Sequence, residues 1–227
     1  PVARPRPASP AASPARTRRL AQGERSREEI LDAAELLMST KGYAATSMSN
    51  LAHASGLPPS SIYWHFGSKR GVVGAVMERG ARRFFEQITR QLQVTGEDPR
   101  QRLGAVLSFS DQVIGEHPQF LRLFMLLLLG SEGGHDQDEV VSRVRAEGRQ
   151  HLADGIRLAY LPWGDELAAH IAGQLGDVAL ALFDGYFIAT EAGAGAARGR
   201  LIEQLASAIH ALAVGIRDFQ PPPGYRR

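Results

Sequence analysis

The stretch SSIYWHFGSKRG, Ser60 to Gly71, gathers two hydroxyls, a phenol, an indole and an imidazole, followed after a Gly-Ser break by two cations. A buried core would use Ile62 and the rings but would not crowd His65 and Lys69 beside them. Ser60, Ser61, Tyr63 and His65 each donate or accept a hydrogen bond from a short side chain. Presented from the N-terminal end of a helix, such groups suit the DNA major groove, whose base edges display a donor and acceptor code. Thr46 and Ser47 stand at one predicted helix start and Lys69 at another. Free N–H groups with a hydroxyl or an ammonium at a helix start make a phosphate site. Other chemistry is poorly served. Cysteine is absent, which removes disulfides and thiolate catalysis. The seven histidines show no H-x-x-x-H spacing, so no metal site is expected. No Ser-His-Asp or paired-carboxylate arrangement stands out, and GAGAARG, Gly193 to Gly199, follows no strand, so it is a turn rather than a dinucleotide loop. Neither an enzyme nor a cofactor is expected.

The elements that must position these groups are all helical. Residues 1–22 are rich in Pro, Ala, Ser and Arg without periodicity, and a disordered arm is expected there. Ser26 and Glu29 form a capping box, and Ile30, Ala33/Ala34 and Leu37/Met38 recur at helical spacing until Gly42. Thr46 is the expected N-cap of a short helix through Ala54, closed by Gly56; a second short helix follows Pro58-Pro59 and ends near Gly67. Two short helices joined by a tight glycine turn form a helix-turn-helix, with Leu51, Ala52, Leu57 and Ile62 facing inward. Ser68 caps a longer helix with a stripe of Val73, Met77, Ala81, Phe84, Ile88 and Leu92. Asp98-Pro99 opens a helix that stops before Pro118, and PQFLRLFMLLLLG is apolar on every side, hence deeply buried. SEGGHDQ is a loop, and helices follow over roughly 138–161, 165–191 and 197–217, the last with Leu201, Leu205, Ile209, Leu212 and Ile216 on one face. The fold class is all-α, with about nine helices and no internal repeat.

From about Arg27 to Val76 the chain resembles the DNA-binding domain of the TetR family of bacterial transcriptional regulators. The resemblance rests on EEILDAAELLMSTKGYAATSM and LAHASGLPPSSIYWHFGSKRGVV, with Gly56, Tyr63, His65, Phe66 and Lys69 in the family's order. It implies an N-terminal three-helix helix-turn-helix domain joined to a larger helical ligand-binding and dimerisation domain. It also implies a homodimer through helices at 165–191 and 197–217, binding double-stranded operator DNA and released by a small-molecule effector. The implied division is a 1–22 arm, a 23–70 DNA-binding domain, a 71–219 ligand-binding and dimerisation domain and a 220–227 tail. Thr46, Ser47, Pro59, Ser60, Ser61, Tyr63, Trp64, His65 and Lys69 are the expected DNA contacts, with Trp64 a packing or backbone-contact residue and Phe66 in the core. Two positions depart from the family: Pro58 replaces a Ser or Thr cap, and Pro59 replaces a frequent Lys, Arg or Gln. Pro59 is left to touch a thymine methyl.

Charge agrees with a polyanion at one end. Residues 1–27 carry seven Arg against one Glu, whereas residues 84–227 carry thirteen basic against eighteen acidic residues. Arg16, Arg18, Arg19 and Arg25 are expected to track phosphates or enter the minor groove. Phe84, Phe109, His117, Phe124, His151 and Tyr186 are candidate ligand-pocket residues. Gly173, Gly176 and Gly185 suggest a close approach at a dimer seam. The longest apolar run, Leu123 to Leu129, is far short of a membrane span, and the first 22 residues have no apolar leader core; a cytoplasmic protein is expected. The expected function is a transcriptional repressor. A helical DNA-binding protein without effector and a metal-independent helical enzyme are the alternatives.

Overall fold

The computed structural model describes residues 14–130, 135–193 and 197–219. The described residues form nine α-helices and one 3-10 turn, without a strand. In chain order they are α1 (Pro14–Lys41), α2 (Met48–Ser55), α3 (Pro59–Phe66), α4 (Lys69–Gln91), α5 (Pro99–Glu116), α6 (Pro118–Leu129), α7 (His135–Tyr160), the 3-10 turn Leu161–Trp163, α8 (Asp165–Glu191) and α9 (Arg198–Asp218). Two compact units divide between Val76 and Met77, inside α4.

The first unit closes on Ile30, Leu31, Ala34 and Met38 of α1, Leu51 of α2, Ile62 of α3, and Val72, Val73 and Val76 of α4, all buried. Burying each large aliphatic side chain stabilises by about 1.5–3 kcal/mol relative to leaving it in water. Two expectations about α1 are corrected. Residues 14–22 of the expected disordered arm are helical, and Ser26 lies in mid-helix rather than at its start. Arg, Ala, Leu, Gln and Glu are all good helix formers. The missing apolar periodicity before Ile30 therefore marks an unpacked stretch of helix, not its end. Residues 1–13 of that arm and the whole 220–227 tail lie outside the described residues.

In the second unit Asp98 caps α5, its Oδ1 accepting from the Gln101 N–H at 2.9 Å. The expected stripe of Leu103, Val106, Leu107, Ser110 and Ile114 is buried. Helix α6 is less enclosed than its composition suggested. Phe120, Leu123 and Phe124 are buried, but Leu126 is exposed and Leu129 is 73% exposed. The expected loop SEGGHDQ is shorter than its composition implied: His135 to Gln137 already belong to α7, and residues 131–134 lie outside the described residues.

Helix α8 has the length and mean hydropathy, 1.3 over its most apolar window, of a membrane-crossing helix, but 44% of that window is buried inside the protein. It packs along α7. Arg145 Nη1 lies 2.8 Å from Asp184 Oδ2, and Arg149 Nε 2.7 Å from Asp177 Oδ1. A Cβ on Gly176 would stand 3.4 Å from the Cβ of Ala153 on α7. Gly176 therefore serves contact within the chain rather than a seam between chains, whereas Gly173 and Gly185 face open space. Leu212 is likewise exposed, away from the buried Leu205 and Ile209 of α9.

Candidate functional site

The helix-turn-helix is set by its ends. Ser47, not Thr46, is the N-cap of α2: its Oγ accepts from the Asn50 N–H at 3.0 Å while Asn50 Oδ1 accepts from the Ser47 N–H at 2.9 Å. This reciprocal pair satisfies two donors that the helix start would otherwise leave open. Thr46 turns inward instead. It is 2% exposed, and its hydroxyl donates to the Gly42 carbonyl at 2.9 Å, so it cannot reach a nucleic acid. Gly56 ends α2 at φ 68°, ψ 13°, a left-handed conformation that a residue without Cβ adopts cheaply. Pro58 is the N-cap of α3 without a side-chain bond, and Pro59 is its first residue. Proline suits that position because the N–H it lacks would have had no helical partner.

With Ile62 and Leu51 buried, α3 turns its other side chains outward. Pro59 and Ser60 are exposed and Ser61 is half-buried, while Tyr63 is 53% and Trp64 78% exposed. Of the two roles expected for Trp64, packing and backbone contact, its exposure removes the first: it is the most open ring of the helix. Its ring meets His65 edge-on at 4.5 Å. Phe66 is only half-buried, and the Arg27 guanidinium lies 5.5 Å from its ring centre. His65 is half-buried. Desolvation, then the charge of Arg27, hold its imidazole below the usual histidine range, with Glu24 opposing. At pH 7 it therefore presents a neutral donor and acceptor, not a cation.

Lys69, the first residue of α4, donates from Nζ to the Ala44 carbonyl at 3.1 Å and lies 4.2 Å from the Tyr43 ring centre. It pins the α1–α2 connection to the start of α4. Gly71 was not singled out from sequence and is required by geometry, because a Cβ there would fall 2.0 Å from the Phe66 carbonyl oxygen. A glycine four residues after a helix-ending glycine was the only local signal for it.

His65 leads to a pH prediction. Its folded pKa lies below the unfolded value of about 6.5, so the unfolded chain binds more protons in that interval. Its contribution to stability is present above pH 6.5 and is lost as pH falls toward the folded pKa. Thermal unfolding of His65→Gln should therefore fall less between pH 7 and 5.5 than that of the parent. Parallel curves would refute this.

In the second unit, α4, α5, α6, α7 and α8 enclose a cavity of about 100 Å³. Its wall includes Phe84 and Phe85, Phe120 and Phe124, and Phe183 and Phe187, and its polar members are Ser110, Arg145, His151 and Asp184. Of the six candidate pocket residues, Phe84, Phe124 and His151 line it. Phe109, His117 and Tyr186 do not. The His117 Nε2 lies 2.8 Å from Gln87 Oε1, and Phe109 is half-buried elsewhere on α5. The Tyr186 hydroxyl donates to Asp111, whose carboxylate also accepts from Arg198 Nε at 2.5 Å. That network ties α5, α8 and α9 together, and burial followed by the Asp111 contact pushes the Tyr186 phenol up to about 12. Among the described residues no group of three or more His, Asp or Glu could hold a metal ion.

Residues 30–76 match the family model described as bacterial regulatory proteins, tetR family. The chain is 32% identical over 88 residues to the HTH-type transcriptional repressor KstR2 of Rhodococcus jostii, a match covering 39% of this chain and 43% of that repressor. The chain thus spans less than half the length of that curated relative. Among solved structures, reduced NemR of Escherichia coli superposes with a TM-score of 0.62 at 19% identity, over 82% of this chain and 96% of that one. A TetR-like transcriptional regulator from Rhodococcus sp. RHA1 gives a TM-score of 0.61 at 22% identity, over 82% and 96%. These structures share the fold.

Proposed function

We infer that this chain, which belongs through residues 30–76 to the TetR family of bacterial regulatory proteins, is a dimeric transcriptional repressor that a small molecule releases from its operator. The observation that carries the reading is α3, a helix whose Ile62 is buried while Ser60, Tyr63 and Trp64 are open to solvent. Side chains at this end of a helix, behind a capped and rigid α2, are what a duplex groove requires. Ser60, Ser61, Tyr63 and His65 read base edges, and Pro59 contacts a thymine methyl. Ser47, Trp64 and Lys69 meet the backbone. The helical extension before Ile30 carries Arg18, Arg19 and Arg25, which supply sequence-independent attraction to phosphates, while the side chain of Arg16 lies outside the described residues.

Two features support the dimer and the effector. Helices α8 and α9 leave Val178, Ile188 and Leu212 exposed, and exposed apolar side chains on two long helices suit contact with a second copy. Helix α4 begins at Lys69 among the DNA-contacting residues, and its later residues Phe84 and Phe85 line the cavity. A molecule that displaces those rings moves the same helix that carries Lys69. Two reading heads must sit about 34–36 Å apart to meet successive major grooves, so a small shift of α4 breaks the match.

The test is fluorescence anisotropy of the purified chain with DNA fragments taken from beside its own gene, at several salt concentrations. Salt-sensitive, fragment-selective binding is expected; equal affinity for every fragment would sink the reading. Lys69→Ala should flatten the slope of log affinity against log salt by about 1 if Lys69 meets a phosphate. An unchanged slope with a lower melting temperature would leave Lys69 only its pin to Ala44.

A further inference from the structure

The chemistry of base edges limits what α2 and α3 can read. From Gly42 to Ser68 the chain has no Lys, Arg, Asp or Glu, so the whole helix-turn-helix lacks a permanent charge. In the major groove each base has a preferred side-chain partner. Guanine takes a bidentate Arg or Lys, adenine a bidentate Asn or Gln, cytosine an Asp or Glu, and the thymine methyl an apolar contact. The partners of guanine and cytosine are missing from α2 and α3 altogether.

The amide class has one member there, Asn50. Its Oδ1 already accepts from the Ser47 N–H at 2.9 Å and from the Ser47 hydroxyl at 2.7 Å. A bidentate pair with adenine needs that same oxygen for the amino group of the base. The cap that makes α2 rigid thus withdraws the one adenine reader.

What α3 offers instead is apolar. Pro59 and Tyr63 stand four residues apart, at the first and fifth positions of the helix, and share one face. Pro59 is exposed and Tyr63 is 53% exposed, so neither ring is taken up by the core that holds Ile62. The remaining polar groups discriminate less. The hydroxyls of Ser60 and Ser61 bond donor and acceptor edges alike, and the imidazoles of His53 and His65 form no bidentate pair. Cations flank the neutral segment, Arg18, Arg19 and Arg25 before it and Lys69 after it. Contacts of cations with phosphates position a protein on the duplex but carry no sequence information.

We propose that Pro59 and Tyr63 are the specificity-determining residues and select thymine methyls, so that the operator is recognised by its pattern of thymines without any guanine contact. This rests on the reading of α3 given under Proposed function. The test uses the full chain and the fragment it binds most tightly, titrated by fluorescence anisotropy at one salt concentration. Two base analogues are built into that fragment. Uracil in place of thymine removes only the C5 methyl, and 7-deazaguanine in place of guanine removes only the N7 acceptor; both keep Watson–Crick pairing. Complete replacement by uracil should lower affinity by about fourfold for each methyl that is contacted. Replacement by 7-deazaguanine should change it by less than about twofold, since no side chain of α2 or α3 pairs with that edge. Pro59→Ala with Tyr63→Ala should weaken binding to the unmodified fragment and should remove most of the response to uracil.

Affinity unaffected by uracil overturns the proposal, as does a loss of more than about twofold with 7-deazaguanine, the mark of a guanine contact. A double variant as sensitive to uracil as the parent also overturns it, because other residues would then read the methyls. Each of these outcomes leaves α3 as a DNA-reading helix. If no fragment is bound in preference to another, the reading under Proposed function falls and this one falls with it.

Discussion

Replacing Ile188 and Leu212 together by aspartate is expected to yield a folded monomer whose operator affinity is lower by about 10²–10⁴-fold. The two side chains are 50% and 46% exposed in the single chain, so their replacement disturbs little internal packing and places charge mainly where a second copy would sit. A monomer has one reading head. Linking two heads turns the second contact into an intramolecular event, and avidity of about 10²–10⁴ follows without any new interaction. Sedimentation should show half the parent mass, circular dichroism should show unchanged helix content, and the operator titration should show the loss. A monomer that binds the operator like the parent would dismiss the two-headed reading. An intact dimer would move the seam away from α8 and α9.

The second large effect is on stability. Phe120 of α6 is 2% exposed, and its ring lies where a Cβ on Gly80 of α4 would stand, 2.3 Å from its Cδ2. It also lines the cavity. Phe120→Ala should cost about 3–5 kcal/mol, because the transferred ring and the void it leaves add together. For a chain of this size that is on the order of 10 °C in melting temperature. Gly80→Ala alone should also destabilise, since the ring must move to admit one methyl group. Combined, the two substitutions should cost less than their sum, because removing the ring makes room for the methyl. Strict additivity in a double-mutant cycle would mean that α4 and α6 do not meet through these residues. Phe120→Ala should also enlarge the cavity that the ring lines.

Much of the helix layout was legible because its signals are local. Asp98-Pro99, Pro58-Pro59 and the glycines at 42, 56 and 67 act on their own backbone, and helical stripes such as Leu103 to Ile114 state which face is apolar. Where local signals compete or are missing, the reading failed. Thr46 and Ser47 are both competent caps, and only the path of the chain around Gly42 decided which hydroxyl turned inward. The basic stretch from residue 14 looked like an arm because it has no apolar face, yet it continues α1. Trp64 was expected to pack or to touch the DNA backbone, and packing fails because only the edge of His65 meets its ring and the rest stays open.

The amino-acid order by itself determined an all-helical chain, a helix-turn-helix over residues 46–67 and the hydrogen-bonding side chains of α3, since each of these depends on neighbours within about four positions. Tertiary structure alone decided that Lys69 reaches Ala44, twenty-five residues away, that Tyr186 leaves the cavity for Asp111, seventy-five residues away, and that Arg145 of α7 pairs with Asp184 of α8. Those partners are chosen by how helices pack, and packing depends on the shapes of many side chains at once, which no short window of sequence contains.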